Sequence, residues 1–210
     1  MDVFTLKVLE NKGNIPLDIL IFINGFMKYE KISDSNIREA VKLWFQNEEQ
    51  CLFIFGHISQ WNVSNVTNMC GLFFEADFNE DLSKWDVSNV INMNGTFSHT
   101  NNFNCDLSGW NVRNVKNMGA MFCEASSFNC NLSGWDVSQV TNMYGMFMEA
   151  SSFNSNINEW NISNVTDTRY MFYRATSFDR ININQWDLSQ ITYKNYMLEE
   201  KKLFSSCVLM

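Results

Sequence analysis

A single proline interrupts 210 residues, and there are only two histidines and fifteen basic side chains. So little proline, together with an aromatic content of 15%, argues against a disordered chain. The formal charge is −8 and the isoelectric point is near 4.7. Nucleic acid is therefore a poor partner, because its phosphates would be repelled and no basic stripe offsets the excess. Ile19–Ile23, the longest apolar run near the start, is far too short to span a bilayer. Met1-Asp2 opens without the basic stretch of a signal peptide, as expected of a chain that is not exported.

The cysteines Cys51, Cys70, Cys105, Cys123, Cys130 and Cys207 include no C-x-x-C pair, and only His57 and His99 accompany them. That is poor spacing for zinc, so no metal ligand is assigned. Cys105 and Cys130 are 25 residues apart in a shared register and are expected as reduced thiols filling small interior sites. No glycine-rich phosphate loop is present. Gly71, Gly95, Gly119 and Gly145 are read as points of close packing. His99 stands near no serine or cysteine nucleophile motif, and Glu199-Glu200 reads as a solvated tail. No catalytic or cofactor-binding residue is assigned, and no enzyme is expected.

What is present is one phrase repeated six times, anchored on Trp61, Trp85, Trp110, Trp135, Trp160 and Trp186 at spacings of 24, 25, 25, 25 and 26 residues. A period in this range marks a solenoid, whose units are too small to bury their own apolar faces. Trp135, Val137, Val140 and Met143 begin one copy, and the Trp-x-Val pair has strand period. Met143, Met146, Phe147 and Ala150 follow at i, i+3, i+4 and i+7, the stripe of a short helix. The expected class is α/β: a leucine-rich-repeat-like solenoid of about six 25-residue coils, each with a short strand and a short helix, behind an N-terminal helical cap. Asn79, Asn104, Asn129, Asn154 and Asp179 recur in register, and aligned amides can hydrogen-bond along such a stack.

The strings Trp-Asn/Asp-Val-Ser-Asn-Val-Thr-Asn-Met and Met-Phe-x-x-Ala-x-x-Phe-Asn resemble the BspA-like leucine-rich surface-protein family, also described as a mycoplasma-type domain of unknown function. Leu82-x-x-Trp85-x-Val87 is similar to the Leu-x-x-Leu-x-Leu core of leucine-rich repeats, although Val90 stands where the usual repeat has Asn. The resemblance implies a binding scaffold, often a surface adhesin, found in bacteria, protists and viruses of protists. It implies no catalytic residues.

Three segments follow: residues 1–56 as an N-terminal helical cap, 57–192 as the repeats, and 193–210 as a C-terminal cap or tail. Phe4–Leu9 alternates like a strand, and Ile15–Tyr29 is helix-like. Asp34 or Asn36 is placed to cap a helix with Ile37, Ala40, Val41, Trp44 and Phe45 on one face. The segment Ile15-Pro16-x-Asp18-Ile19-Leu20, with Ile23, Phe26, Val41 and Trp44, also resembles an F-box. That resemblance implies docking on a ubiquitin-ligase adaptor.

The function expected is a non-catalytic protein–protein interaction scaffold, cytoplasmic, in a virus or protist. The alternatives are an F-box-like substrate receptor and a surface adhesin. A partner site should lie where the copies differ. Outward in the strand run Asn62, Asp86, Asn111, Asp136, Asn161 and Asp187, and Arg113 interrupts a column of serines. On the other side Tyr144, Arg169, Tyr170, Tyr173 and Arg174 gather aromatic and basic character, which favours interface anchors.

Cys207-Val208-Leu209-Met210 fits a prenylation box whose final Met points to a farnesyl group. The alternative is an apolar C-terminal cap formed with Tyr196, Met197, Leu203 and Phe204. One lipid chain gives weak, reversible peripheral association on the cytosolic side. Cell fractionation should show partial membrane association that Cys207→Ser eliminates, and intact-mass spectrometry finding an unmodified C-terminus in host cells would refute the lipid.

Overall fold

A computed structural model describes residues 29–198. The strand expected at Phe4–Leu9, most of the helix-like Ile15–Tyr29 stretch with its F-box-like residues, and the Cys207 box lie outside the described residues. The chain enters through two helices packed on each other, α1 (Ile37–Gln46) and α2 (Glu48–Phe55). Ile37, Ala40, Val41 and Trp44 recur with helical period and are the buried face of α1. Phe45, expected on that face, is instead 45% exposed and meets Phe78 edge-on, with ring centroids 5.8 Å apart. It falls one position beyond the stripe that Trp44 completes. Asn47 separates the helices and caps α2 by accepting from the Gln50 N–H at 3.1 Å. Gly56, at φ +74°, ends it.

From Trp61 onward the copies lie one upon another. Single-residue parallel bridges join Asn68, Asn92, Asn117, Asn142, Asp167 and Tyr193 in succession. After each bridge the backbone alternates its partners. In one coil the N–H groups of Met93, Gly95, Phe97 and His99 donate to the carbonyls of Asn117, Gly119, Met121 and Cys123 in the next, at 2.7–2.9 Å. The intervening N–H groups of Thr96, Ser98 and Thr100 close turns onto the carbonyls three residues back. The short helix expected from Met143 to Ala150 is thus a run of turns, and the strand expected at Trp-x-Val is irregular chain leading into a turn. The stripe Met143, Met146, Phe147 and Ala150 is nevertheless buried throughout. This turn path and an α-helix both bring positions i, i+3, i+4 and i+7 to one side, so periodicity alone did not separate them.

The path needs a left-handed residue ten positions after each tryptophan and, for the first five of these tryptophans, a second one fourteen positions after. Gly71, Gly95, Ala120, Gly145, Tyr170 and Tyr196 hold the first position, and Glu75, His99, Glu124, Glu149 and Arg174 the second, all at φ between 51° and 61°. This corrects the reading of the glycines as points of close packing. A Cβ on Gly71 or Gly145 would have room, and it is the dihedral that favours glycine. Gly119 lies one position earlier in its coil and is the packed one, since a Cβ there would meet Asn94 Nδ2 at 2.7 Å.

Side chains follow the backbone register. Phe73, Phe97, Phe122, Phe147 and Phe172 stack with ring centroids 5.4–5.7 Å apart. Phe78, Phe103, Phe128, Phe153 and Phe178 form a second column at 5.9–6.2 Å. Each buried indole N–H from Trp110 to Trp186 donates to a carbonyl of the preceding coil (Leu82, Leu107, Leu132 and Ile157 in turn) at 3.0 Å. The asparagine ladder forms with backbone donors rather than amide to amide. The N–H groups of Asn104, Asn129, Asn154 and Asp179 each donate to the side-chain oxygen one coil back, at 2.8–2.9 Å. Cys105 and Cys130 are buried and unpaired, and their sulfurs accept from the Leu82 and Leu107 N–H groups at 3.2 Å. Among the described residues no buried side-chain nitrogen or oxygen lacks a partner.

The irregular spacings have local causes. The first coil is one residue short between Ala76 and Phe78, and the last absorbs its extra residue in a single 3₁₀ turn, Arg180–Ile183. Asn36 occupies the N-cap position of α1 without a side-chain cap bond to the helix. Asp34 reaches the first coil instead, accepting from the Thr67 N–H at 2.9 Å, the Asn68 N–H at 3.0 Å and the Thr67 hydroxyl at 2.6 Å. Burial pushes the Asp34 carboxyl up, but these bonds and nearby Arg38 prevail and hold it below its usual value.

A left-handed alanine costs roughly 1–2 kcal/mol that glycine does not incur. Ala120→Gly should therefore raise the urea or thermal midpoint by the equivalent of about 0.5–1 kcal/mol after glycine's larger unfolded-state entropy is deducted. Gly145→Ala should lower it by about 1 kcal/mol. Equal shifts of one sign would show that the left-handed position is not the constraint.

Candidate functional site

The outward stripe Asn62, Asp86, Asn111, Asp136, Asn161 and Asp187 serves the fold. Each side-chain oxygen accepts from the N–H two residues on, at 2.9–3.4 Å. The Ser88, Ser138 and Ser189 hydroxyls and N–H groups hold the Asp86, Asp136 and Asp187 carboxyls below their usual value. Arg113 stands in one of these turns, its charge near Asp136, and is not part of the aromatic cluster described next.

The late coils bring Tyr144, Arg169, Tyr170, Tyr173 and Arg174 together. The Arg169 guanidinium lies over the Tyr144 ring at 5.5 Å and the Tyr193 ring at 5.1 Å. Its Nε and Nη2 donate to the two carboxyl oxygens of Asp167 at 3.0 and 2.7 Å, a bidentate fork that fixes its plane. Tyr170 contacts Tyr144 and Tyr173 edge-on and stacks on Tyr196 at 5.2 Å. Arg174 lies over Tyr173 at 5.1 Å and pairs with Glu149 at 3.4 Å. Tyr144, Tyr193 and Tyr196 are 38%, 54% and 64% exposed, so the cluster presents aromatic faces outward. Asp167, Tyr193 and Tyr196 were not anticipated as members. Tyr196 falls ten residues after its tryptophan, as Tyr170 does, and that shared offset is the signal that would have found it. Met197, beside it, is buried.

Burial raises the Asp167 carboxyl, but the fork from Arg169, the Arg169 N–H and the neighbouring positive charge outweigh it, and the group sits below its usual value. The same fork raises Arg169.

Elsewhere among the described residues one group has donor atoms close enough to share an ion. His99, Cys123 and Glu124 bring a nitrogen, a sulfur and a carboxyl oxygen within 4.8 Å of one another. The sequence reading assigns no metal ligand, yet His99 and Glu124 each follow their tryptophan by fourteen residues, and Cys123 follows by thirteen.

A model of the family described as Mycoplasma protein of unknown function, DUF285, matches residues 39–147 and again residues 110–208. No curated protein and no solved structure matches the chain.

Asparagine fills the position of Asp167 in the preceding coils, so Asp167→Asn keeps the turn and removes only the charge pair. The folded carboxyl lies below its unfolded value, so its contribution is fully present above about pH 4 and disappears as the pH falls through the folded value. Thermal unfolding should show wild type ahead of Asp167→Asn by about 1 kcal/mol at pH 7, a figure discounted for the half-exposed Arg169, with the gap closing as the carboxyl is protonated at falling pH. A gap independent of pH would contradict this assignment.

Proposed function

The chain belongs to the family described as Mycoplasma protein of unknown function, DUF285, and from that premise we propose that this repeat protein is a non-catalytic solenoid scaffold that binds another protein through its late coils. The observation that carries the reading is the tyrosine–arginine cluster, with Arg169 between Tyr144 and Tyr193 on its bidentate Asp167 and with Arg174 over Tyr173 beside Tyr170. Tyrosine and arginine dominate binding hot spots, because they bury much area for little conformational entropy. Here ring contacts and the carboxylate fork already order both side-chain types, so a partner meets a preformed surface and spends less on ordering it.

The solenoid part of the proposal rests on the recurrence of the same hydrogen bonds from coil to coil. The charge of −8 favours a protein partner over nucleic acid. Val41 and Trp44, which the F-box resemblance would use, are buried in the core.

Alanine at Tyr170, Tyr173 and Arg174 together should reduce affinity capture from host lysate by about thirtyfold or more, since hot-spot losses reach ~2 kcal/mol. The thermal midpoint should stay near wild type, and Arg113→Ala should capture normally. Undiminished capture by the triple variant would remove this surface from the function.

A further inference from the structure

We propose that His99, Cys123 and Glu124 form a binding site for a zinc-class divalent transition metal, built across two adjacent coils and sharing no ligand residue with the tyrosine–arginine surface. Nδ1 of His99 lies 3.2 Å from Oε2 of Glu124, and all three donor atoms fall within 4.8 Å of one another. Tetrahedral zinc, with bonds of about 2.0–2.3 Å, needs its ligands about 3.3–3.8 Å apart, so small side-chain rotations complete the geometry. One imidazole, one thiolate and one carboxylate are the borderline-soft set that zinc, cobalt or nickel takes. Calcium and magnesium prefer all-oxygen sites.

The backbone presents these side chains in fixed positions. The His99 N–H donates to the Cys123 carbonyl at 2.7 Å, locking the two coils at the site. The Glu124 N–H is held in turn by the Met148 carbonyl at 2.7 Å. His99 and Glu124 both occupy the left-handed position fourteen residues after a tryptophan, at φ 60° and 57°. Phe74, one coil back, meets the His99 ring edge-on at 5.2 Å and orients it. Cys123 is buried, whereas the His99 and Glu124 side chains are 34% and 42% exposed, so an ion has an approach from solvent and a fourth position open to water. As the sulfur–metal bond forms, the thiol proton leaves to solvent. Burial, with the charges of Glu124 and Glu149, pushes the Cys123 thiol up to about 11, so the metal displaces a firmly held proton, and the thiolate and the Glu124 carboxylate then offset the charge of the bound ion.

The full-length chain, reduced and freed of metal, is titrated with Co²⁺. The expected result is one equivalent bound with a sulfur-to-cobalt charge-transfer band and tetrahedral visible bands, both abolished by Zn²⁺. His99→Ala, Cys123→Ser and Glu124→Gln should each weaken Co²⁺ binding by about tenfold or more, while Cys70→Ser leaves it unchanged. His99→Ala removes a partly exposed side chain, so it carries the test even if Cys123→Ser fails to fold. Absence of the charge-transfer band, or a band that persists at the same affinity in His99→Ala, overturns the proposal.

Discussion

Alternate peptide N–H groups of one coil donate to the carbonyls of the next, and everything else in the stack depends on that alternation. A coil of about 25 residues has no interior of its own, so its polar backbone must be satisfied partly by its neighbours. Between two N–H groups that cross, the intervening one closes a turn three residues back. The chain keeps this up over eight residues by placing every fourth one in the left-handed region. Register then follows without further choice. The phenylalanine columns and the indole N–H bonds recur at nearly constant distance, because the backbone has already set the rise of each coil.

A stack held this way has two ends, and the N-terminal one shows how an end is managed. In the interior, the N–H groups of Thr141 and Asn142 both point at one carbonyl, that of Lys116. At the coil of Trp61, one carboxyl oxygen of Asp34 takes the place of that carbonyl and receives the corresponding pair, from Thr67 and Asn68. An aspartate thus imitates a neighbouring coil, and an ionised one does so with stronger bonds than a peptide carbonyl offers. Helices α1 and α2 cover the apolar part of the same end, with Phe55 against Trp61.

The spacing of the tryptophans made most of this legible. Once the copies are aligned on Trp, every residue has a column, and the buried columns Val66, Val90 and Val115 or Met69, Met93 and Met118 follow from apolarity alone. The turn path was hidden because its buried positions coincide with those of a helix. The sign of φ at Glu75, His99, Glu124, Glu149 and Arg174 leaves no compositional trace, since none of them is glycine. Arg113 stands out as an exception to a serine column, and its neighbours are the turn-forming Asn111 and Asp136 rather than the aromatic cluster. That Tyr144, Arg169, Tyr170, Tyr173 and Arg174 lie together could be read because they cluster in sequence and in adjacent columns. Tyr193 escaped because it fills a column that asparagine and aspartate hold elsewhere.

The columns also say where this architecture has room for chemistry. Positions one residue after each tryptophan are committed to turns, and those two and five after it to the interior. The positions nine, thirteen and fourteen residues on are free to vary, and all lie on the turn run that adjoins the next coil. Besides its neighbours in the same coil, a group there meets another about 25 residues away in sequence and one coil away in space. His99 meets Glu124 in this way, Arg174 meets Glu149, and Arg169 meets Tyr144. The tyrosine–arginine cluster and the His99–Glu124 pair are therefore shared between coils, and they exist only while the register holds. Left-handed residues other than glycine cost free energy at the fourteenth position in five successive coils. Histidine, glutamate and arginine stand there in place of glycine, and it is these side chains that make the cross-coil pairs.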